Sequence, residues 1–211
     1  MIVFLDTEFT DLVVQPRLLS VGLVTGAGHD RELYAEVTDR DRIHAASWFA
    51  LDAVLPQFGK VAHAACTYAA LGVRLSDFFV ELMASLEAAE SIELAFGYYL
   101  DWDLMELAVR DSTARGWEST RRRLCPVNVY GITGVGAGAL AAGAYFKSQA
   151  NGPLSRHHAL CDARALRLAY EAACPGPLHK APSPQRDRVG NSRVLAEQRH
   201  PTQQGCERRD L

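Results

Sequence analysis

At 211 residues with 48% hydrophobic side chains, the chain is long enough for one domain with a sizeable core and a tail. Its formal net charge of −3 excludes a protein that coats nucleic acid through bulk positive charge, but not an enzyme that grips a few nucleotides. Five cysteines, an odd set without CxxC spacing, argue against a disulfide framework and for a reducing, cytoplasmic compartment.

The chain starts directly on an apolar strand, MIVFLD, with neither a basic nor a long apolar leader region, so no signal peptide is expected. Leu18 to Thr25 predicts a second strand, Gly26 to Asp30 its turn, and Arg31 to Val37 an antiparallel return. A helix is expected over Ala45 to Leu55, ending near Pro56 and Gly59. A second, amphipathic helix is expected over Leu75 to Ala89, with Ser76 and Asp77 as capping candidates. Ser91 to Tyr99 reads as a buried strand and Asp101 to Arg110 as the helix after it. Cys125 to Tyr130 predicts a strand, Ala137 to Ser148 a helix, and His157 to Ala173 the last helix. Cys125 to Phe146 carries no charge and is long enough to span a bilayer, but its proline and glycines suit a buried strand, loop and small-residue helix, so no membrane partner is expected. Residues 1–174 form the expected domain, and 175–211, rich in proline and charge without periodicity, a disordered, mildly basic tail.

This order predicts an α/β fold: a mixed sheet, antiparallel meander first and parallel strands after, flanked by helices. It matches the ribonuclease H-like architecture.

Asp6 and Glu8 lie two apart on the first strand and share a face. Paired carboxylates there repel unless a cation lies between them, and hard oxygen ligands suit Mg²⁺ or Mn²⁺. Asp101 begins a helix after a buried strand, where it can cap the helix or reach a metal. Asp103 competes for that role, and Asp101 is preferred as nearer the strand end. His157 and Asp162, five apart, are expected on one helix face, the imidazole able to take a proton from water. Each has a plainer reading: a solvated strand end, a helix cap, a surface histidine. His158 is expected to be such a surface histidine.

Together these residues resemble the DEDDh family of 3′–5′ exonucleases. DTE matches its first motif at Asp6 and Glu8, DWDLM its second at Asp101 with Met105 four on, and HHALCDA its third at His157 and Asp162. The likeness covers Met1 to about Cys174. The SIEL opening of the second-motif strand and the compact length are most similar to small bacterial exoribonuclease-like members. The chain departs from many members ahead of Asp101, where Tyr98 and Tyr99 replace asparagine or histidine-asparagine.

The resemblance implies that Asp6, Glu8, Asp101 and Asp162 hold two Mg²⁺ or Mn²⁺ ions and that His157 activates water. It implies release of 5′-mononucleotides from the 3′ end of a single-stranded nucleic acid, RNA ahead of DNA. Phe9 and Thr10 follow the first motif and are placed to contact the terminal nucleotide, although Phe9 suits the core equally well. Arg121, Arg122 and Arg123 suit a solvated loop or, less readily, a grip on upstream phosphates. A homodimer is left open. The alternative function is a non-catalytic nucleic-acid-binding module on the same fold.

Two further signals carry less weight. Gly131 to Gly143 approaches a dinucleotide-binding loop but lacks the following strand and acid, so small-residue packing explains it better. Nothing in the sequence joins His63 and Cys66 to His157, His158 and Cys161 as a zinc site.

Overall fold

The computed structural model describes residues 1–12, 15–150 and 152–175. The expected tail lies outside the described residues except for Pro175.

Six strands form one mixed sheet in the order β4-β3-β2-β1-β5-β6. β1 (Ile2–Phe9), β2 (Leu18–Thr25) and β3 (Glu32–Val37) make the expected meander, each antiparallel to its neighbour in sequence. After α1 (Arg40–His44), the helix expected over Ala45 to Leu55 appears as a π-helical turn, Ala50–Val54, continued by a 3₁₀ turn, Leu55–Gln57, and it ends near Pro56 and Gly59 as expected. Pro56 accounts for the change of ladder, because it has no N–H to continue a helix.

β4 (Ala65–Cys66) is too short to show a sequence period. α2 (Tyr68–Ala84) starts a full two turns before the expected site. Thr67, not Ser76 or Asp77, is its cap: the Thr67 hydroxyl accepts the Ala70 N–H at 3.3 Å, while Ser76 is buried.

β5 (Ile92–Phe96) leads into α3 (Tyr99–Arg110). α4 (Trp117–Arg121) precedes β6 (Leu124–Asn128), which pairs parallel with β5. β6 is a sheet edge, where Pro126 is tolerated. The short α5 (Tyr130–Thr133), α6 (Gly136–Ser148) and α7 (Ala159–Ala173) complete the described chain.

Alternation along β1 divides the core. Val3 and Leu5 join the main cluster with Leu71, Leu75 and Phe79 of α2 and Met105 of α3, all buried. Phe4 points the other way, its ring 5.6 Å from that of Tyr170 on α7. α7 can approach the sheet because β2 carries Gly22, where a side-chain Cβ would collide with the Ala159 carbonyl and the Leu160 nitrogen. Gly22 is also the register partner of Asp6. The glycine segment serves packing too: a Cβ on Gly138 would stand 2.8 Å from the Thr133 carbonyl oxygen and 3.0 Å from that of Ala169.

Among the described residues no helix is long and apolar enough to cross a membrane. Cys66, Cys125, Cys161 and Cys174 are free thiols.

Candidate active site

Parallel pairing of β1 with β5 brings their C-terminal ends side by side. Asp6 and Glu8, in phase with Phe4, face α7; Thr7, in phase with Leu5, faces α3. The Thr7 N–H and hydroxyl both donate to Oδ1 of Asp101, at 3.2 and 2.8 Å. Oδ2 of Asp101 accepts the Tyr98 N–H at 3.1 Å, closing the first turn of α3. Capping and metal binding are therefore compatible here, since each carboxylate oxygen accepts more than one bond. Asp103 is exposed and lines a separate cavity of about 390 Å³ with Arg17 and Tyr68, which removes it from this cluster.

Asp162 lies in the first turn of α7. His157 does not share its helix face as expected. The helix begins only at Ala159, and His157 occupies the preceding turn with left-handed backbone, φ 67°. The carboxylate of Asp162 supports that conformation by accepting the His157 N–H at 3.0 Å. The imidazole meets the Phe49 ring edge-on, with centroids 4.8 Å apart.

His158 is not a surface residue either. It is 1% exposed, stacks on Tyr34 at 4.2 Å, and neither ring nitrogen has a hydrogen-bond partner. Burial pushes its pKa down to about 4, so the ring is neutral. The Tyr34 hydroxyl donates to Glu36 at 3.0 Å, and the other Glu36 oxygen accepts the Gly59 N–H at 2.8 Å.

The carboxylates share one electrostatic problem. Burial, then Asp101, Asp162 and Glu8, holds Asp6 well above the usual carboxylate range. Burial, then Asp162 and Asp101, pushes Glu8 up to about 8. Asp162 rises to about 7, chiefly by burial, and Asp101 to about 6, restrained by its bonds from Thr7 and Tyr98. Such a set ionises together only with a cation among its members.

Glu8, His157 and Asp162 offer ligand atoms all within 4.8 Å of one another and can hold a metal ion. Asp162 Oδ1 is buried without a partner, as an oxygen reserved for a cation would be. His63 and Cys66 do not join a metal-binding group among the described residues. Burial, then the neighbouring Arg156, lowers the His157 pKa, which keeps a proton-accepting nitrogen near neutrality.

All five acid and histidine residues line one cleft of about 800 Å³. Phe9 lines it as well and also packs on the main core. Thr10 does not: it is 3% exposed, its hydroxyl accepts the Arg17 N–H, and its carbonyl accepts the Ser47 N–H. Arg121, Arg122 and Arg123 are also absent from the cleft. They precede β6 at the N-terminal end of the parallel strands, opposite the acids. There Arg121 pairs with Glu106 and covers Trp102, while Arg123 donates to the Glu87 and Glu90 carbonyls.

Sequence reasoning missed Phe49, Asn128 and Tyr130 as cleft residues. Asn128 and Tyr130 had an available signal, since Asn128 ends a strand parallel to the one before Asp101 and Tyr130 follows it by two residues. Compared with protein-family models and with curated proteins, the chain gives no match.

Proposed function

We propose that this chain is a metal-dependent 3′–5′ exonuclease of the DEDDh type on a ribonuclease H-like fold. One observation carries the reading: Asp6, Glu8, Asp101 and Asp162 meet in a single cleft with a histidine of lowered pKa. The substrate is the 3′ end of a single-stranded nucleic acid, RNA ahead of DNA, and the compartment is the cytoplasm.

Asp6, Glu8, Asp101 and Asp162 would hold two Mg²⁺ or Mn²⁺ ions, which supply Lewis-acid polarisation of the phosphodiester oxygens. His157 accepts a proton from water as its oxygen attacks the terminal phosphorus. The bond from phosphorus to the O3′ of the preceding nucleotide breaks, and that oxygen takes a proton from solvent, releasing a 5′-mononucleotide and a shortened strand with a 3′ hydroxyl. Thr7 and Tyr98 keep Asp101 oriented, and Asp162 fixes the His157 backbone.

Time courses on matched single- and double-stranded RNA and DNA test the class and choose the substrate. The expected result is Mg²⁺- or Mn²⁺-dependent shortening from the 3′ end, lost in Asp6→Asn and Asp162→Asn variants that retain their fold. Unchanged activity in either variant sinks the assignment. Absence of any Mg²⁺ or Mn²⁺ binding in a calorimetric titration favours the binding module.

A further inference from the structure

The turn that presents His157 is held from outside its own helix by one buried side chain. Gln57 ends the 3₁₀ turn and is 4% exposed, and every polar position of its amide is used. Its Nε2 donates to the Arg156 carbonyl at 2.7 Å and to the Ala53 carbonyl at 3.0 Å. Its Oε1 accepts the Ser155 N–H at 3.1 Å and the Ser155 hydroxyl at 2.9 Å. Carbonyls on one side and donors on the other fix which end of the amide is which.

Gln57 also closes a segment whose other end is tied to the acid-bearing strand. The Ser47 N–H donates to the Thr10 carbonyl at 2.8 Å, and the Leu51 N–H to the Ser47 carbonyl at 2.9 Å. That segment carries Phe49, whose ring meets the His157 imidazole. One amide therefore joins the two stretches of chain whose side chains touch at the imidazole. Among the described residues, the only other hydrogen bond holding 153–157 runs from the His157 N–H to Asp162. A non-glycine residue with left-handed backbone, as His157 is, persists only where its surroundings over-determine it.

Resting on the exonuclease reading, we propose that Gln57 is a positioning residue for the general base. It does not line the cleft and acts only through His157, by fixing the Ser155–Arg156 backbone so that the imidazole stays between Phe49 and the carboxylates of Glu8 and Asp162. Without the amide, water takes over its bonds, the turn samples other conformations, and the imidazole leaves the line of the attacking water. Alignment of a proton acceptor tolerates little displacement, so the loss falls on the chemical step and not on substrate binding. The site requires glutamine. A glutamate oxygen would face both the Ala53 and Arg156 carbonyls, and methionine has the length but makes none of the bonds.

The test uses the full chain, Mg²⁺ and a single-stranded oligonucleotide. Gln57→Met should lower kcat about 10- to 100-fold and change KM less than about twofold. In the His157→Ala background the same substitution should cost less than about twofold, because its only route is already gone. Gln57→Glu keeps the Ser155 bonds and loses the other two; it should follow Gln57→Met, and it replaces that variant if methionine prevents folding. Parental kcat in the folded variants overturns the proposal, as does a loss that multiplies in the His157→Ala background.

Amide hydrogen exchange without substrate tests the positioning apart from the reaction. In Gln57→Met the His157 amide should exchange about tenfold faster or more, while the β2 amides keep their parental rates. Unchanged exchange at His157 overturns the proposal, and so does equal acceleration throughout β2, which marks general destabilisation. If the parent shortens no nucleic acid while His157 exchange depends on Gln57, the exonuclease falls and the positioning stands. Parental shortening with unaltered exchange gives the reverse.

Discussion

Gly22 and Ala159 touch so closely that the helix carrying Asp162 rests on bare backbone of the strand next to Asp6. Any side chain on Gly22 must push the start of α7 outward, carrying Asp162 away from Asp6 and Glu8. Gly22→Ala should therefore cost on the order of 3 kcal/mol and also remove metal-dependent activity. Gly143→Ala, on a helix where a Cβ meets nothing within 4 Å, should instead stabilise by up to about 1 kcal/mol. Paired thermal melts check the contrast; equal effects would contradict the packing account.

The acid cluster predicts how the metal-free protein responds to pH. Asp6, Glu8, Asp101 and Asp162 all have folded-state pKa values above their unfolded ones. Below about pH 4 both states hold these protons and the cluster costs nothing. As pH rises toward 8 the unfolded chain releases its protons first, so folded stability declines through the values of about 6, 7 and 8. The Tm in chelator should fall from pH 5 to pH 8, and Mg²⁺ should restore most at pH 8. A flat profile that ignores Mg²⁺ would oppose this.

Asp101 and Asp103 can be separated in one assay. Asp101→Asn should abolish Mg²⁺-dependent turnover, because it removes a charge from the cluster. Asp103→Asn, on an exposed position facing another cavity, should alter it less than twofold. His157→Ala should lower kcat by about 10²- to 10⁴-fold, as removal of a general base does.

His158 carries two buried ring nitrogens without partners. His158→Phe keeps a ring on Tyr34 and deletes both unmet polar groups, so its Tm should match or exceed that of the parent. His158→Asp places a carboxylate in the same enclosure and should lower Tm by several degrees.

Much of this arrangement was legible in the sequence. β2 runs from Leu18 to Thr25 as expected, since an apolar run between turns has little freedom. The acids converge because the strand period and the β5-to-α3 junction are local properties. α2 was harder: the small residues Ala69, Ala70 and Gly72 obscure its first turns, where only Tyr68 and Leu71 signal burial. His157 reads as helical in the sequence because pattern alone cannot show a left-handed turn before the cap. Arg121 to Arg123 fell on the wrong end of the sheet because charge says nothing about which end of a strand it precedes. Thr10 failed for a different reason, its short side chain being used by its own backbone surroundings.

The bond from the His157 amide to Asp162 gives the protein a built-in reporter. An amide proton held by a carboxylate changes its electronic shielding when that carboxylate gains a proton or shares its charge with a cation. One backbone resonance, belonging to the histidine itself, therefore registers the loading of the acid cluster without any label or substrate in the cleft.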